Sequence, residues 1–148
     1  MHLSMKKHRD LLSILRAKSL RLTPARRMLL QYIIDNKNKQ LPLQDIQKYL
    51  EKNVAGVNRS SIYRNLELFK KLEIVQELNI PKKGKSYQYI FDDDVHHFYI
   101  CKTCGKANRD KEQLFTNIQK ALNKVKGFSD ANLSVVFYGH CPSCRPRK

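Results

Sequence analysis

The 148-residue chain has no tryptophan, only five glycines, and no cysteine outside two short pairs. Its few glycines form no phosphate-cradling loop, and no Ser/His/Asp arrangement is present, so the common signatures of nucleotide and hydrolytic enzymes are missing. No segment approaches the roughly 20 apolar residues of a membrane span. The opening Met1–His8 run leads into charge rather than an apolar stretch, so no secretory leader is expected and the chain is read as cytoplasmic. Acidic residues are scarce as well: 13 stand against 29 Lys and Arg, a formal charge of +16. Residues 1–92 hold 19 basic and 8 acidic residues, and residues 93–148 hold 10 and 5. Such an excess favours a polyanion as partner, through counterion release from phosphates. Double-stranded DNA is the first choice and an anionic membrane surface the second.

What is present is concentrated in Cys101-Lys102-Thr103-Cys104 and Cys141-Pro142-Ser143-Cys144. A two-residue gap turns both sulfurs of a pair toward one point, and four thiolates so arranged fit the closed tetrahedral shell of a structural zinc. A filled shell argues for a clamp and against a hydrolytic centre. Disulfides would need an oxidising compartment, and a thiol oxidoreductase a βαβ setting that neither pair has. The cysteine-free, more basic stretch sets a division into 1–91 and 92–148. The second part is too short to bury much core alone, so a metal or a partner subunit is expected to support it.

Apolar spacing gives the elements. Residues 5–17 read as a basic amphipathic helix through Leu11, Leu12, Ile14 and Leu15. A second helix starts at Thr23 as N-cap and Pro24 as first residue, with Met28, Leu29, Tyr32 and Ile33 on one stripe. A third follows Pro42, and a fourth is capped by Asn58 with Ile62, Leu66, Phe69 and Leu72 as its buried row. Ile74–Leu78 and Tyr87–Phe91 read as a hairpin around a basic Pro81–Lys85 turn. In the second part, Phe98–Ile100, Lys106–Asn108 and Leu133–Gly139 are expected strands, and Lys111–Val125 an amphipathic helix. Helices followed by a cationic hairpin suit a winged helix, which inserts one helix in the major groove and lays its hairpin on the flanking backbone. Winged helices also dock on proteins, and a zinc-ribbon interaction module that does not read DNA is the alternative.

Five segments together resemble the ferric uptake regulator family of bacterial metal-dependent repressors. They are Arg21-Leu22-Thr23-Pro24-Ala25-Arg26, Ser61-Ile62-Tyr63-Arg64-Asn65-Leu66, Gly84-Lys85-Ser86-Tyr87, His96 through Lys106, and Tyr138 through Cys144. The resemblance implies an α+β chain: an N-terminal winged helix-turn-helix, then a small α/β dimerisation domain with a four-cysteine zinc site of Cys101, Cys104, Cys141 and Cys144. It implies a homodimer on an inverted-repeat operator, with one structural zinc per chain and no enzymatic activity. Tyr63 would meet a thymine methyl and Arg64 a phosphate or base edge. The Ser60 or Ser61 hydroxyl would hold backbone, Lys85 would sit at the minor groove, and Arg21 is a further DNA-binding candidate.

The resemblance also implies a second, regulatory metal site, and here the sequence departs from the pattern. Gln40 stands where a histidine commonly precedes the third helix, Tyr89 at a carboxylate position, and Phe98 at the second His of a His-x-His. Val95, Leu133 and Thr116 replace further ligands, while His96 is retained. Two readings stay open: metal sensing is lost, or a divalent-ion site is rebuilt from His96, His97 and Asp93 or its neighbours Asp92 and Asp94, with His8 or His140. His140 itself is expected to hydrogen-bond beside the zinc rather than ligate it.

Overall fold

The computed structural model describes residues 11–91, 96–109, 117, 120, 121, 124, 125 and 134–147. It divides into two compact units, Met1–Glu77 with Tyr87–Asp92, and Leu78–Ser86 with Asp93–Lys148.

In the first unit residues 11–17 are helical (α1), with Leu11 and Leu15 fully buried. Residues 5–10 of the expected helix lie outside the described residues. Helix α2 (Pro24–Asp35) starts as the sequence dictates: the Thr23 side chain accepts the Arg26 N–H at 3.2 Å and proline occupies the first turn, where its missing N–H is no loss. It stops at Asn36, whose side-chain amide donates to the Tyr32 carbonyl at 2.9 Å. A two-residue strand β1 (Leu41–Pro42) leads directly into α3 (Leu43–Asn53). Helix α4 (Arg59–Lys71) is capped by Asn58 Oδ1, which accepts the Ser61 N–H at 2.8 Å.

These helices meet through Leu29, Leu30, Ile33, Ile46, Leu50, Ile62, Leu66 and Phe69, all almost fully buried. Each such side chain stabilises the fold by about 1.5–3 kcal/mol relative to exposure. Tyr32 and Tyr49 stack with ring centroids 4.0 Å apart, joining α2 to α3. A three-stranded sheet in the order β1-β3-β2 follows, with β2 at Val75–Ile80 and β3 at Gly84–Tyr89. The hairpin turn is therefore shorter than the sequence suggests. Lys82 and Gly84 take positive φ of 68° and 72°, and the Lys83 N–H closes the turn on the Ile80 carbonyl at 3.0 Å, so Gly84 and Lys85 join the strand. The base of the hairpin groups with the helices and its tip with the second unit.

The second unit is a sheet in the order β5-β4-β6: β4 (His96–Cys101) is central, antiparallel to β5 (Ala107–Arg109) and parallel to β6 (Ser134–Gly139). A parallel pair needs a crossover of a dozen or more residues. Residues 117, 120, 121 and 124 within that crossover are helical, and Val125 N–H donates to the Ala121 carbonyl. The rest of the Lys111–Val125 helix, including Leu114, Phe115, Ile118 and Leu122, lies outside the described residues. One face of the sheet buries Phe98 and Ile100 with Leu78 and Ile80 of the hairpin tip. Tyr138 Oη donates to the Asn79 carbonyl at 3.0 Å on the same side.

Candidate nucleic-acid interface and metal centre

Helix α4 has two faces of opposite character. Ile62, Asn65, Leu66 and Phe69 are buried, while Ser60, Tyr63, Arg64, Glu67 and Lys71 are exposed and Ser61 is half-buried. Tyr63 keeps 40% of its surface accessible, which excludes a place in the core. Arg21 is exposed just before α2. Lys85 is exposed on β3, with Lys82 and Lys83 beside it in the hairpin turn. Arg21, Ser60, Ser61, Tyr63 and Arg64 belong to the first compact unit and Lys85 to the second.

Two polar networks hold α4. Arg26 Nε donates to Asn65 Oδ1 at 2.9 Å, and its Nη1 donates to the Arg21 carbonyl. Near the C-terminal end of the helix Lys70 bridges Glu77 at 2.9 Å and Glu67 at 3.0 Å. Tyr87 Oη donates to the same Glu77 carboxylate at 3.4 Å. The Lys70 ammonium is pushed up by its bonds to Glu77 and then Glu67, and the Tyr87 phenol by burial and then Glu77. Both keep their protons near neutrality. Sequence reasoning misses Asn65, although residues 62, 65, 66 and 69 share one helical face.

The cysteines converge. Cys101 ends β4 and Cys141 follows β6, and the parallel register places Cys101 opposite Gly139. All four Sγ atoms lie within 4.8 Å of one another, with Cys104 and Cys141 sulfurs 3.9 Å apart. A tetrahedron with Zn–S of about 2.3 Å has edges of about 3.8 Å, so the donor set fits zinc. Backbone turns build it: Gly105 N–H donates to the Cys101 carbonyl at 3.0 Å, and Cys144 N–H to the Cys141 carbonyl at 2.9 Å. Cys141 N–H points at Cys101 Sγ at 3.4 Å. Backbone N–H groups of Cys104 and then Cys141 lower the Cys101 thiol to about 5. Its neighbour Cys144 is pushed up to about 12, first by its hydrogen bond with the Cys141 side chain and then by burial. Four thiols this close share protons unless a cation displaces them.

His140 Nδ1 lies 3.2 Å from Thr103 Oγ1, and His140 is not part of the four-sulfur group, as its place beside the cysteines leads one to expect. Of the other candidate ligands, His97 is buried in β4, His96 occupies the position paired with Ser134, and Asp93 lies outside the described residues. Among the described residues the four cysteines are the only group of three or more His, Cys, Asp or Glu side chains close enough to share an ion. Gln40 gives its Nε2–H to Gln88 Oε1 at 2.8 Å, and Gln88 in turn donates to the Lys37 carbonyl at 2.6 Å. The described side chains thus do not fit a second ion at Gln40. No helix among the described residues is long and apolar enough to cross a membrane.

Known proteins resemble this chain in sequence and in fold. The peroxide operon regulator of Bacillus subtilis strain 168 is 25% identical over 140 residues, covering 95% of this chain and 94% of that protein. The solved structure of the Helicobacter pylori ferric uptake regulator superposes with a TM-score of 0.73 at 18% identity, over 98% of this chain and 95% of that one. A zinc uptake regulator solved with zinc and DNA gives 0.63 at 19% identity, over 95% and 93%. The sequence model described as the ferric uptake regulator family matches residues 17–138, from the end of α1 into β6. That span takes in the two-faced helix, the hairpin and the first cysteine pair, and it makes this chain a member of the ferric uptake regulator family, whose members are transcription regulators and not enzymes.

Proposed function

We propose that this protein is a cytoplasmic, sequence-specific DNA-binding repressor that acts as a homodimer on an inverted-repeat operator. In this reading residues 1–91 bind DNA and residues 92–148 dimerise, with one structural zinc per chain on Cys101, Cys104, Cys141 and Cys144. Zinc, when bound, supplies a crosslink between the ends of β4 and β6. The observation that carries the reading is α4, capped at its start, buried on one face, and presenting Tyr63 and Arg64 to solvent on the other in a chain of charge +16. Tyr63 and Arg64 would meet base edges in the major groove. A Ser60 or Ser61 hydroxyl would hold backbone, fixing register without reading sequence, Lys85 would sit at the minor groove, and Arg21 is a further contact to DNA. The solved relative with zinc and DNA supports the same use of the fold.

We further propose that DNA binding here needs no second divalent ion, because the Gln40 amide is committed to Gln88. A site rebuilt on His96, His97 and Asp93 would instead make operator binding depend on a labile metal. Metal analysis before and after mild chelation decides between them: one retained zinc with unchanged DNA affinity supports the first, and a lost second ion with lost affinity the second. Duplexes selected from a random pool, then titrated over a salt series, test the main reading. Affinity should fall steeply with salt while preference over scrambled duplex persists. If no preference emerges, the zinc-ribbon interaction module takes its place.

A further inference from the structure

Apolar contacts between helices are not directional, so the buried row Ile62, Leu66 and Phe69 alone tolerates a small roll of α4 about its axis. A roll of roughly 10° on a cylinder of about 5–6 Å radius carries a side-chain tip through about 1 Å. Hydrogen bonds to base edges do not survive many such displacements. Something directional must fix the roll, and the buried face of α4 holds one polar side chain, Asn65, at 5% exposure. Its Oδ1 is held at 2.9 Å by Arg26 Nε from α2. The same guanidinium uses Nη1 on the Arg21 carbonyl, which also accepts the Thr23 N–H at 3.1 Å. Meanwhile the Arg26 N–H is the one the Thr23 cap receives. One planar side chain thus ties together the entry to α2, α2 itself and α4. Both acceptors of the guanidinium, the Asn65 amide oxygen and the Arg21 backbone carbonyl, are uncharged, so the brace is not an ion pair.

We propose that Arg26 is a positioning residue for sequence readout. It fixes the roll of α4 through Asn65 and the path of residues 21–23 through the Arg21 carbonyl. Discrimination between DNA sequences depends on it, while general attraction to DNA does not. Lysine keeps the charge but carries a single donor group without the planar fork, and it cannot hold both acceptors in this geometry. The inference rests on the DNA-reading function proposed above.

The test uses the full-length zinc-loaded protein and a duplex selected from a random pool by the wild type, with a scrambled duplex as reference. Arg26→Lys should lower the ratio of the two affinities about ten-fold or more, leaving affinity for the scrambled duplex and its salt slope unchanged. Asn65→Leu, which fills the buried site without an acceptor, should give the same loss. The double variant should lose little beyond either single one, as expected for partners in one contact. Asn65→Asp keeps the acceptor and should retain most of the preference. Full preference in Arg26→Lys would show that charge alone matters and overturn the proposal. So would additive losses in the double variant, or a proportionate fall on both duplexes. A wild type that selects no duplex refutes the DNA reading itself, and this inference with it.

Discussion

Gly105 follows the first cysteine pair and takes φ of +72°, with its N–H on the Cys101 carbonyl. A Cβ there would lie 2.7 Å from the Pro81 carbonyl oxygen and 3.3 Å from Ile80 Cγ2, so backbone would have to move. Gly84 has the same φ of +72° but nothing within 4 Å of a Cβ, which makes it a control within the same unit. The left-handed conformation costs an L-residue about 1–2 kcal/mol, and forcing a methyl into filled space about 1–3 kcal/mol more. Gly84→Ala should therefore destabilise by about 1–2 kcal/mol and Gly105→Ala by about 2–5 kcal/mol. Urea unfolding of the zinc-loaded proteins, followed by far-UV circular dichroism and by zinc release to a chromophoric chelator, measures the difference. Zinc release in Gly105→Ala should begin at lower urea than the control. Equal stabilities within about 0.5 kcal/mol would refute the packing of the hairpin tip on the cysteine turn.

Cys101→Ser should abolish stoichiometric zinc and the folded signal of the β4–β6 sheet, since metal binding and folding are linked there; a zinc-free variant with intact amide protection in β4 would contradict this. Zinc affinity should weaken as pH falls from 8 to 5. The lowered Cys101 thiol stays ionised until about pH 5, but the raised Cys144 thiol holds its proton across this range and must release it on binding. Competition with a chelator of known pH dependence measures the slope, and a flat profile would refute the proton count. Neighbours on α4 should behave oppositely. Ile62→Ala, at a fully buried position, should cost about 2–5 kcal/mol in urea unfolding, whereas Tyr63→Ala should change stability by less than about 0.5 kcal/mol yet remove operator preference in gel shift.

The helix starts were legible because Thr23 and Asn58 are short polar side chains placed just before apolar stripes, and the structure uses both as caps. The cysteine spacing was legible for a similar reason: two local pairs need only one long-range meeting to make four ligands. What the sequence hid depends on distant partners. The hairpin strands run further toward the turn than expected, because Lys82 reaches the left-handed region without being glycine. The Gln40–Gln88 and Arg26–Asn65 pairs are separated by 48 and 39 residues, and no local pattern marks either as bonded. The parallel pairing of β4 with β6 was likewise invisible, since it depends on the crossover and not on the strands.

That pairing has a consequence for what lies between. Because β4 and β6 run side by side in one direction, both leave the sheet at the same end, and a single ion there would close a loop from Cys104 to Cys141 that includes β6 itself. Closure of a flexible loop grows only slowly more unfavourable with length, by about 0.6 kcal/mol per doubling. The fastening is therefore nearly indifferent to how many residues it encloses. Insertions between Arg109 and Ser134 should leave ion retention almost untouched, so this stretch can lengthen without disturbing the clasp.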